Sequence, residues 1–259
     1  MVNDAQACYN QLAAHFHLVF EDWEASMARQ AAVIGPIVEG ACGKARPLRI
    51  LDCACGIGTQ ALGLAKRGHH VTGCDLSSAA VTRAGEEARQ RGLHLDLLAA
   101  DMRDLSALPP QDFDAVVCLD NSLPHLDTGG LSEAASQIRR RLNPGGLFLA
   151  SIRDYDALVV EKPVVQGPAF HNDGGRRRIV HQVWDWLDDR RYTFHMYITR
   201  ETPDGWESHH VASTYHAILR DELSAVLAAA GLVHIRWMFP PDSGFYQPLV
   251  LAAAPEANP

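Results

Sequence analysis

Apolar and polar residues follow two different spacings along the middle of the chain. Short apolar runs of strand length are separated by longer segments in which apolar residues recur at helical intervals. The predicted strands span residues 48–52, 70–75, 93–99, 113–119 and 147–153, and the predicted helices span residues 59–67, 77–91 and 131–142. The sequence Asn143–Gly146 is expected to stop the last of these helices. Strands that alternate with helices through short loops predict an α/β fold, with a parallel sheet covered by helices on both faces.

Both ends of the chain differ from this middle part. Residues 10–40 carry apolar residues at helical intervals, which predicts a helical lid. Residues 154–216 contain runs of Tyr, Trp, Thr, His and Val between turn residues, which predicts an antiparallel β-rich insertion over the ligand edge of the sheet. The predicted divisions are a lid at 1–45, a core at 46–153, the insertion at 154–216, and a completing segment at 217–259 with a helix at 221–230 and strands at 233–239 and 248–253.

Charge and composition exclude several classes of function. A net charge of −8 and a pI near 5.9 argue against nucleic acid as a partner, because phosphate binding requires positive charge. The sequence has neither a leader pattern nor an apolar run of about 18 residues, so a cytoplasmic protein that does not enter membranes is expected. The six cysteines form no CxxC pair, and the 13 histidines lack metal-ligand spacing, so no metal is expected. A monomer or a small homo-oligomer is expected.

A glycine turn after the first predicted strand is the main chemical signal. Gly56 and Gly58 lie between that strand and the next helix, where bare backbone can hold a nucleotide-like ligand. With Asp75 about 20 residues later, the turn fits either a nicotinamide dinucleotide or S-adenosylmethionine. Asp52 would repel a pyrophosphate, whereas the acid at Asp101 can accept from an adenine amine. These neighbours favour S-adenosylmethionine.

Four ordered segments carry a family resemblance. LDCACGIGTQ at 51–60, GCDLS at 73–77, AADMRDL at 99–105 and NPGG at 143–146 resemble the motifs of class I S-adenosylmethionine-dependent methyltransferases, and the likeness covers residues 48–153. The resemblance implies a Rossmann-like seven-stranded sheet, with S-adenosylmethionine as cofactor and S-adenosylhomocysteine as product.

The same resemblance assigns the cofactor contacts. It implies that Asp75 binds the ribose hydroxyls, that the glycine turn approaches the methionine and ribose moieties, and that Met102 packs on the adenine ring beside Asp101. Arg29 is expected to reach the cofactor carboxylate. The residues expected to bind the cofactor are Asp52, Cys53, Gly56, Gly58, Asp75, Leu76, Asp101, Met102, Leu119 and Arg29.

Two further segments follow the fourth and fifth strands, and they concern the methyl acceptor. Residues 118–126 and 151–156 resemble the glycine, sarcosine and dimethylglycine N-methyltransferase group. That resemblance implies that Asn121 holds the amine region and that Arg153 grips a substrate carboxylate. Asp120 and Asp154 depart from the group's pattern and add negative charge, which would suit a more cationic amine. The expected reaction is N-methylation of an amino-acid-like small molecule.

The remaining assignments complete the predicted site. The residues expected to bind the acceptor are Tyr9, Trp23, Asn121, Arg153, Tyr155 and His216, and those expected to take part in catalysis are Asn121, Arg153, Asp120 and His125. Each has a plainer interpretation: Arg153 could pair with Asp154 or Asp156, Asn121 could cap a turn, and Tyr9 and Trp23 could be core residues. Asp120, His125 and His216 are the candidate bases. Arg176–Arg178 is most simply a solvated loop.

Other functions stay open from the sequence. Within the same fold, O- or C-methylation of a small aromatic or acidic metabolite is the main alternative. A nicotinamide-dependent oxidoreductase and a non-catalytic cofactor-binding protein are the remote alternatives.

Overall fold

A computed structural model describes residues 4–43, 47–110 and 112–257. Its centre is a seven-stranded sheet in the order β10-β11-β5-β4-β1-β2-β3, in which β11 runs antiparallel to both neighbours. The strands are β1 Arg49–Asp52, β2 His70–Asp75, β3 Asp96–Ala99, β4 Phe113–Cys118, β5 Leu142–Ser151, β10 Val233–Met238 and β11 Leu249–Ala253. The strand order reverses between β1 and β4, where the carboxyl ends of the strands diverge to leave a crevice.

Helices cover both faces of this sheet, as the sequence predicts. α2 (Trp23–Cys42) and α3 (Thr59–Lys66) pack on one face, and α5 (Thr128–Arg141) and α7 (Arg220–Ala229) pack on the other. α4 (Ser78–Gln90) packs against β2 and β3. β4 is buried along its whole length, with alternate residues in the two opposite cores, because successive strand side chains point to opposite faces.

The start of β5 explains the Asn143–Gly146 sequence. α5 ends at Arg141 as expected, but β5 already begins at Leu142, so these residues form an irregular strand start and not a free turn. Leu142 lies opposite Phe113 and Leu147 lies opposite Ala115, which leaves extra residues between the two pairs. A Cβ on Gly146 would lie 2.8 Å from the Asn143 carbonyl oxygen, so glycine is required there.

The amino-terminal segment differs from the single predicted helix. α1 (Asp4–Leu12) is followed by a 3-10 helix at Phe16–Val19 before α2 begins. The break arises because Asp22 is extended and its Oδ1 accepts from the Ala25 N–H at 2.9 Å, which fixes a new helix start.

The insertion is a separate four-stranded antiparallel sheet, in the order β6-β7-β8-β9. Its strands are β6 Val165–Asp173, β7 Arg176–Trp186, β8 Arg191–Thr202 and β9 Gly205–His216. The prediction of hairpins alone was wrong at its start, where α6 (Tyr155–Glu161) packs its apolar side on the core. α8 (Pro240–Ser243) is a further short helix that the sequence did not predict.

Arg178 corrects the interpretation of Arg176–Arg178 as a solvated loop. Its side chain is 2% exposed and is paired with Asp173, with Nε 2.7 Å from the carboxylate Oδ2. It also donates to the carbonyl oxygen of Leu18, so the buried guanidinium fastens the amino-terminal segment to the small sheet. Within the described ranges, no helix is both long and apolar enough to cross a membrane.

Candidate active site

A cleft opens at the carboxyl ends of the central strands. Its floor comes from the loops after β1, β2 and β3, which contribute Cys53–Ile57, Asp75–Ser77 and Ala100–Met102. The amino-terminal segment forms its roof, with side chains that include Gln6 and Tyr9. The cleft therefore lies at the strand-order reversal, where open α/β sheets bind ligands.

The glycine turn and Asp75 form one hydrogen-bonded unit in this cleft. Gly56 has a φ of 52° and donates its N–H to Asp75 Oδ2 at 2.9 Å, while Ser77 donates its N–H to Oδ1 at 2.8 Å. Burial raises the pKa of Asp75, and these two backbone donors act in the opposite direction. Gly58, with a φ of 96°, begins α3, and a Cβ there would lie 3.1 Å from the Leu62 side chain.

Three residues predicted to bind the cofactor lie beneath the cleft and not on its wall. Gly58 faces Leu62 and Ala84, and Leu119 is buried in the core beside α2 and α3. Asp52 is 1% exposed, and burial raises its pKa to about 8. In the described part of the chain its Oδ2 atom has no hydrogen-bond partner. An unused acceptor is thus held directly under the glycine turn.

Asp101 and Met102 lie on the cleft wall after β3. Burial alone would raise the pKa of Asp101, but hydrogen bonds from Arg103 hold it below its ordinary value. Arg103 Nε lies 3.0 Å from both carboxylate oxygens. Asp101 is therefore an ionised acceptor, and its partner Arg103 was missed by the sequence analysis.

A second cavity of about 480 Å³ adjoins the cleft. Tyr9, Phe16 and Asp120 line both spaces, so the two meet at these side chains. Arg29 lines this second cavity and not the cofactor cleft, so its contact with the cofactor carboxylate stays a prediction. The cavity is closed from the insertion side by residues of β7, β8 and β9.

Asp120 is held at the meeting point by several hydrogen bonds. Gln60 Nε2 donates to its Oδ2 at 2.7 Å, and the Tyr246 hydroxyl donates to its Oδ1. Its backbone N–H donates to Ser151 Oγ at 2.9 Å. Burial raises the pKa of Asp120, whereas the bonds from Tyr246 and Gln60 lower it. A carboxylate of increased basicity is thus fixed between the two spaces.

Asn121 joins the loops after β4 and β5. Its Oδ1 accepts from the Arg153 N–H at 3.0 Å, and its Nδ2 donates to the Tyr155 hydroxyl at 3.0 Å. The side chain is 2% exposed and φ is 65°, a left-handed conformation that asparagine tolerates well. Asn121 lines the second cavity, yet both ends of its amide are already bonded within the protein. The side chain thus positions the two loops and does not cap a turn, which was the plainer interpretation, and its predicted contact with the acceptor amine stays a prediction.

Replacement of Asn121 tests this positioning. We expect Asn121→Ala to lower the free energy of unfolding by about 2–4 kcal/mol, because two buried bonds are lost and alanine is strained at positive φ. Asn121→Gly loses the same bonds without the strain, so it should be roughly 1 kcal/mol more stable than the alanine variant. Urea unfolding measures both, and two variants as stable as the wild type would contradict the assignment.

Arg153 has neutral partners. Its guanidinium donates to the Tyr192 hydroxyl at 2.8 Å and to Gln182 Oε1 at 3.2 Å, and its central carbon lies 4.6 Å from the Trp184 ring centre. Its remaining N–H groups are available to a ligand in the second cavity, which it lines.

The surface ion pair considered for Arg153 is not formed. Asp154 and Asp156 both pair with Arg220. Among the residues that the structure describes, no carboxylate pairs with the Arg153 guanidinium. A largely desolvated cation without an acidic partner is a strong site for a ligand anion.

His125 lines the cleft but is a poor base. Its Nε2 lies 3.1 Å from the Tyr9 hydroxyl, and Ser213 Oγ lies 3.4 Å from its Nδ1. Burial lowers the pKa of His125 to about 3, so the ring is neutral and weakly basic. Tyr9 itself lines both spaces, as its predicted place requires.

Three predicted acceptor residues lie off both walls. Trp23, the first residue of α2, donates its indole N–H to Thr59 Oγ1 at 2.9 Å and is buried in an apolar cluster with Ile57 and Leu62. Tyr155 is fully buried and bonded to Asn121 and Tyr192. His216 lies at the end of β9, and burial lowers its pKa. Tertiary packing has turned these side chains away from the cavity.

Sequence reasoning missed Gln60, Gln182, Tyr192 and Tyr246. A signal existed for Tyr246, which lies in the loop before the last strand. Because β11 is antiparallel to β5, the loop that precedes it reaches the same sheet edge as the carboxyl ends of the parallel strands. Gln182 and Tyr192 needed the register of β7 and β8, which the sequence does not define.

Comparison with known proteins shows which family the central part of the chain matches. A model described as a methyltransferase domain matches residues 50–146, which include the glycine turn, Asp75 and Asp101. Residues 50–146 are a methyltransferase domain.

The domain is similar to methyltransferases that act on different acceptors. The chain is 32% identical over 112 residues to a glycine/sarcosine N-methyltransferase of Halorhodospira halochloris, which covers 43% of this chain and 42% of that protein. It is 34% identical over 106 residues to a ubiquinone biosynthesis O-methyltransferase of Xylella fastidiosa, strain 9a5c, which covers 40% of this chain and 42% of that protein. The chain thus spans less than half the length of these curated relatives.

Beyond the methyltransferase domain, the likeness extends to the whole fold. CalS10 of Micromonospora echinaspora, solved with S-adenosylmethionine bound and described as an amino pentose methyltransferase, superposes with a TM-score of 0.71 at 23% identity. The match covers 88% of this chain and 92% of CalS10. The predicted class I methyltransferase fold, with its helix-covered sheet and β-rich insertion, is confirmed.

Proposed function

We propose that this chain is an S-adenosylmethionine-dependent methyltransferase of a small molecule. The observation that carries the proposal is the meeting of the two spaces at Tyr9, Phe16 and Asp120. At these side chains the cleft of the methyltransferase domain adjoins a second cavity, which is large enough for a small acceptor. S-Adenosylmethionine, when bound, supplies an electrophilic methyl group on a sulfonium.

The cleft's donors and acceptors suit this cofactor better than a dinucleotide. Asp75 and Asp101 provide acceptors for hydroxyl and amino groups, and Gly56 leaves the backbone open. These carboxylates would repel a pyrophosphate. Asp75, Asp101, Met102 and the turn at Gly56 would hold the cofactor.

The reaction requires positioning more than acid-base chemistry. A nucleophile must face the methyl carbon at about 3 Å, and an amine must be neutral to attack. Asp120 lines both spaces and can accept the proton of an ammonium, and Gln60 and Tyr246 keep its carboxylate in place. Tyr9 and Phe16 line both spaces and form part of the boundary of the meeting point.

We further propose that the acceptor atom is the amine nitrogen of a carboxylate-bearing molecule. Support comes from the two charged groups that line one cavity, Asp120 as an anion and Arg153 as an unpaired cation. The glycine/sarcosine relative transfers methyl groups to amino-acid nitrogen, which agrees with this assignment.

A methylation assay tests the proposal. The protein and S-adenosylmethionine are incubated with panels of amino acids, amines without a carboxylate, and phenolic acids, and S-adenosylhomocysteine and methylated products are measured by mass spectrometry. Amino acids should give N-methyl products. The aromatic lining of the cavity favours phenol O-methylation as a second candidate, and O-methyl products from phenolic acids alone would establish that function instead.

The pH dependence of the reaction tests the role of Asp120. If ionised Asp120 accepts the proton, kcat/KM falls as pH decreases through its pKa. Tyr246→Phe removes a donor that stabilises the carboxylate, so this pKa rises and the acidic limb moves to higher pH, by about one pH unit. Tyr197→Phe, on the outer face of the small sheet, is the matched control. An unmoved limb, or a shift to lower pH, would exclude Asp120 as the base.

A further inference from the structure

The second cavity has an apolar wall that a glycine-sized acceptor would not use. Val19 and Phe20 project into it from the amino-terminal segment, Val33 from α2, and Phe194 and Met196 from β8. Val19, Phe20 and Val33 remain partly exposed, so a ligand could cover them further. A wall built from three separate elements is a site for an apolar group and not a chance exposure.

The size of the cavity points the same way. Its volume of about 480 Å³ exceeds what glycine or sarcosine occupies, and a small acceptor would leave most of the wall against water. Each methylene that an acceptor buries there improves its affinity by about fourfold. An acceptor with a large apolar side chain would gain the most from this wall.

The charged groups decide which apolar molecule fits. Asp120 lines both spaces, whereas Arg153 lines the second cavity but not the cleft, so the anion site lies away from the meeting point. An apolar amine without an acid would leave the Arg153 guanidinium unpaired, and an apolar acid without an amine would leave Asp120 unpaired. A ligand that lacks either the acid or the amine should therefore bind more weakly, because Arg153 and Asp120 are largely desolvated.

We propose that the acceptor is an amino acid with a large apolar or aromatic side chain, or a close derivative of one. Its amine faces Asp120, its carboxylate binds Arg153, and its side chain packs against Phe20, Val33 and Met196. This assignment rests on the proposed methyl transfer and names the substrate class of the same site.

Binding to the protein saturated with S-adenosylhomocysteine provides the first test. Calorimetry compares L-phenylalanine, L-tryptophan and L-leucine with glycine and sarcosine, and with phenethylamine and 3-phenylpropanoate, which each lack one charged group. We expect L-phenylalanine to bind at least tenfold more tightly than glycine and than either truncated probe. Equal or tighter binding of glycine, or no binding of any apolar amino acid, overturns the proposal.

Variants of the wall provide the second test. Val33→Phe fills the cavity and should raise KM for the apolar amino acid at least tenfold, while the affinity for S-adenosylmethionine stays unchanged. Val160→Phe, at a position that is 82% exposed on α6, is the matched control. Phe20→Ala, which removes wall area without adding bulk, should also raise KM. Equal KM values for the wild type and both wall variants contradict the placement.

The outcomes separate this inference from the function on which it rests. Preferred methylation of glycine or sarcosine keeps the methyltransferase and overturns the apolar acceptor. Failure to bind S-adenosylmethionine overturns the methyltransferase itself, and the acceptor proposal with it.

Discussion

Arg153→Ala is expected to lower kcat/KM for a carboxylate-bearing acceptor by roughly two to three powers of ten, equivalent to a loss of about 3–4 kcal/mol. The loss should appear mainly in KM, because the guanidinium holds the acceptor and lies outside the cofactor cleft. Its partners Tyr192 and Gln182 are neutral, so the bound anion is the charge that completes the site. Initial rates of S-adenosylhomocysteine formation over a range of acceptor concentrations measure the effect.

Two further arginine variants make this result specific. Arg153→Lys keeps the charge but loses the planar fork, so it should recover only part of the affinity. Arg177→Ala removes an exposed arginine paired with Glu201 and should leave KM unchanged. If Arg153→Ala has the wild-type KM, the anion is bound elsewhere and the carboxylate in the proposed acceptor loses its support.

Asp75→Ala is expected to weaken S-adenosylmethionine binding by roughly a hundredfold or more, because the cofactor would lose its hydrogen bonds to a charged acceptor. The variant removes an acceptor from the cleft and also frees the N–H groups of Gly56 and Ser77, which the carboxylate now holds in place. Binding calorimetry measures the change, and circular dichroism shows whether the fold is intact.

Matched variants again separate binding from folding. Asp75→Asn retains an acceptor oxygen and should lose less affinity than the alanine variant. Asp96→Ala changes an exposed carboxylate at the start of β3 and should have no effect. A wild-type protein that binds NADH but not S-adenosylmethionine would replace the methyltransferase with the nicotinamide-dependent alternative.

The sheet was predictable because its strands are strongly patterned. β4 contains the apolar run 115–118, and the glycine turn marks the end of β1, so the order of strands and helices follows from the sequence. α6 was missed because seven residues are too few for helical and strand spacing to differ. The break between α1 and α2 depends on the cap at Asp22, whose effect is local and does not interrupt the apolar spacing.

The site was only partly predictable. Asp75, Asp101, Asp120 and Tyr9 line the spaces because strand ends and the lid must meet at that edge. The cluster of Gln60, Asp120 and Tyr246 could not be predicted, since it joins residues far apart in the chain through side-chain contacts. Trp23 shows the limit of sequence reasoning, because it is buried in an apolar cluster with Met27 and bonded to Thr59, and neither contact can be read from the sequence.

The left-handed backbone after β4 also limits which residues natural variation can place beside the acceptor. Position 120 has a φ of 56°, a conformation that glycine, asparagine and aspartate adopt far more readily than other residues. Exchange among these three keeps the path of the loop, but only aspartate brings a charge. Asparagine at position 120 would remove the charge but keep one acceptor oxygen for Gln60 or Tyr246, whereas glycine would remove the acceptor of both donors. The neighbouring Asn121 has no such freedom, because both ends of its amide hold the loop together.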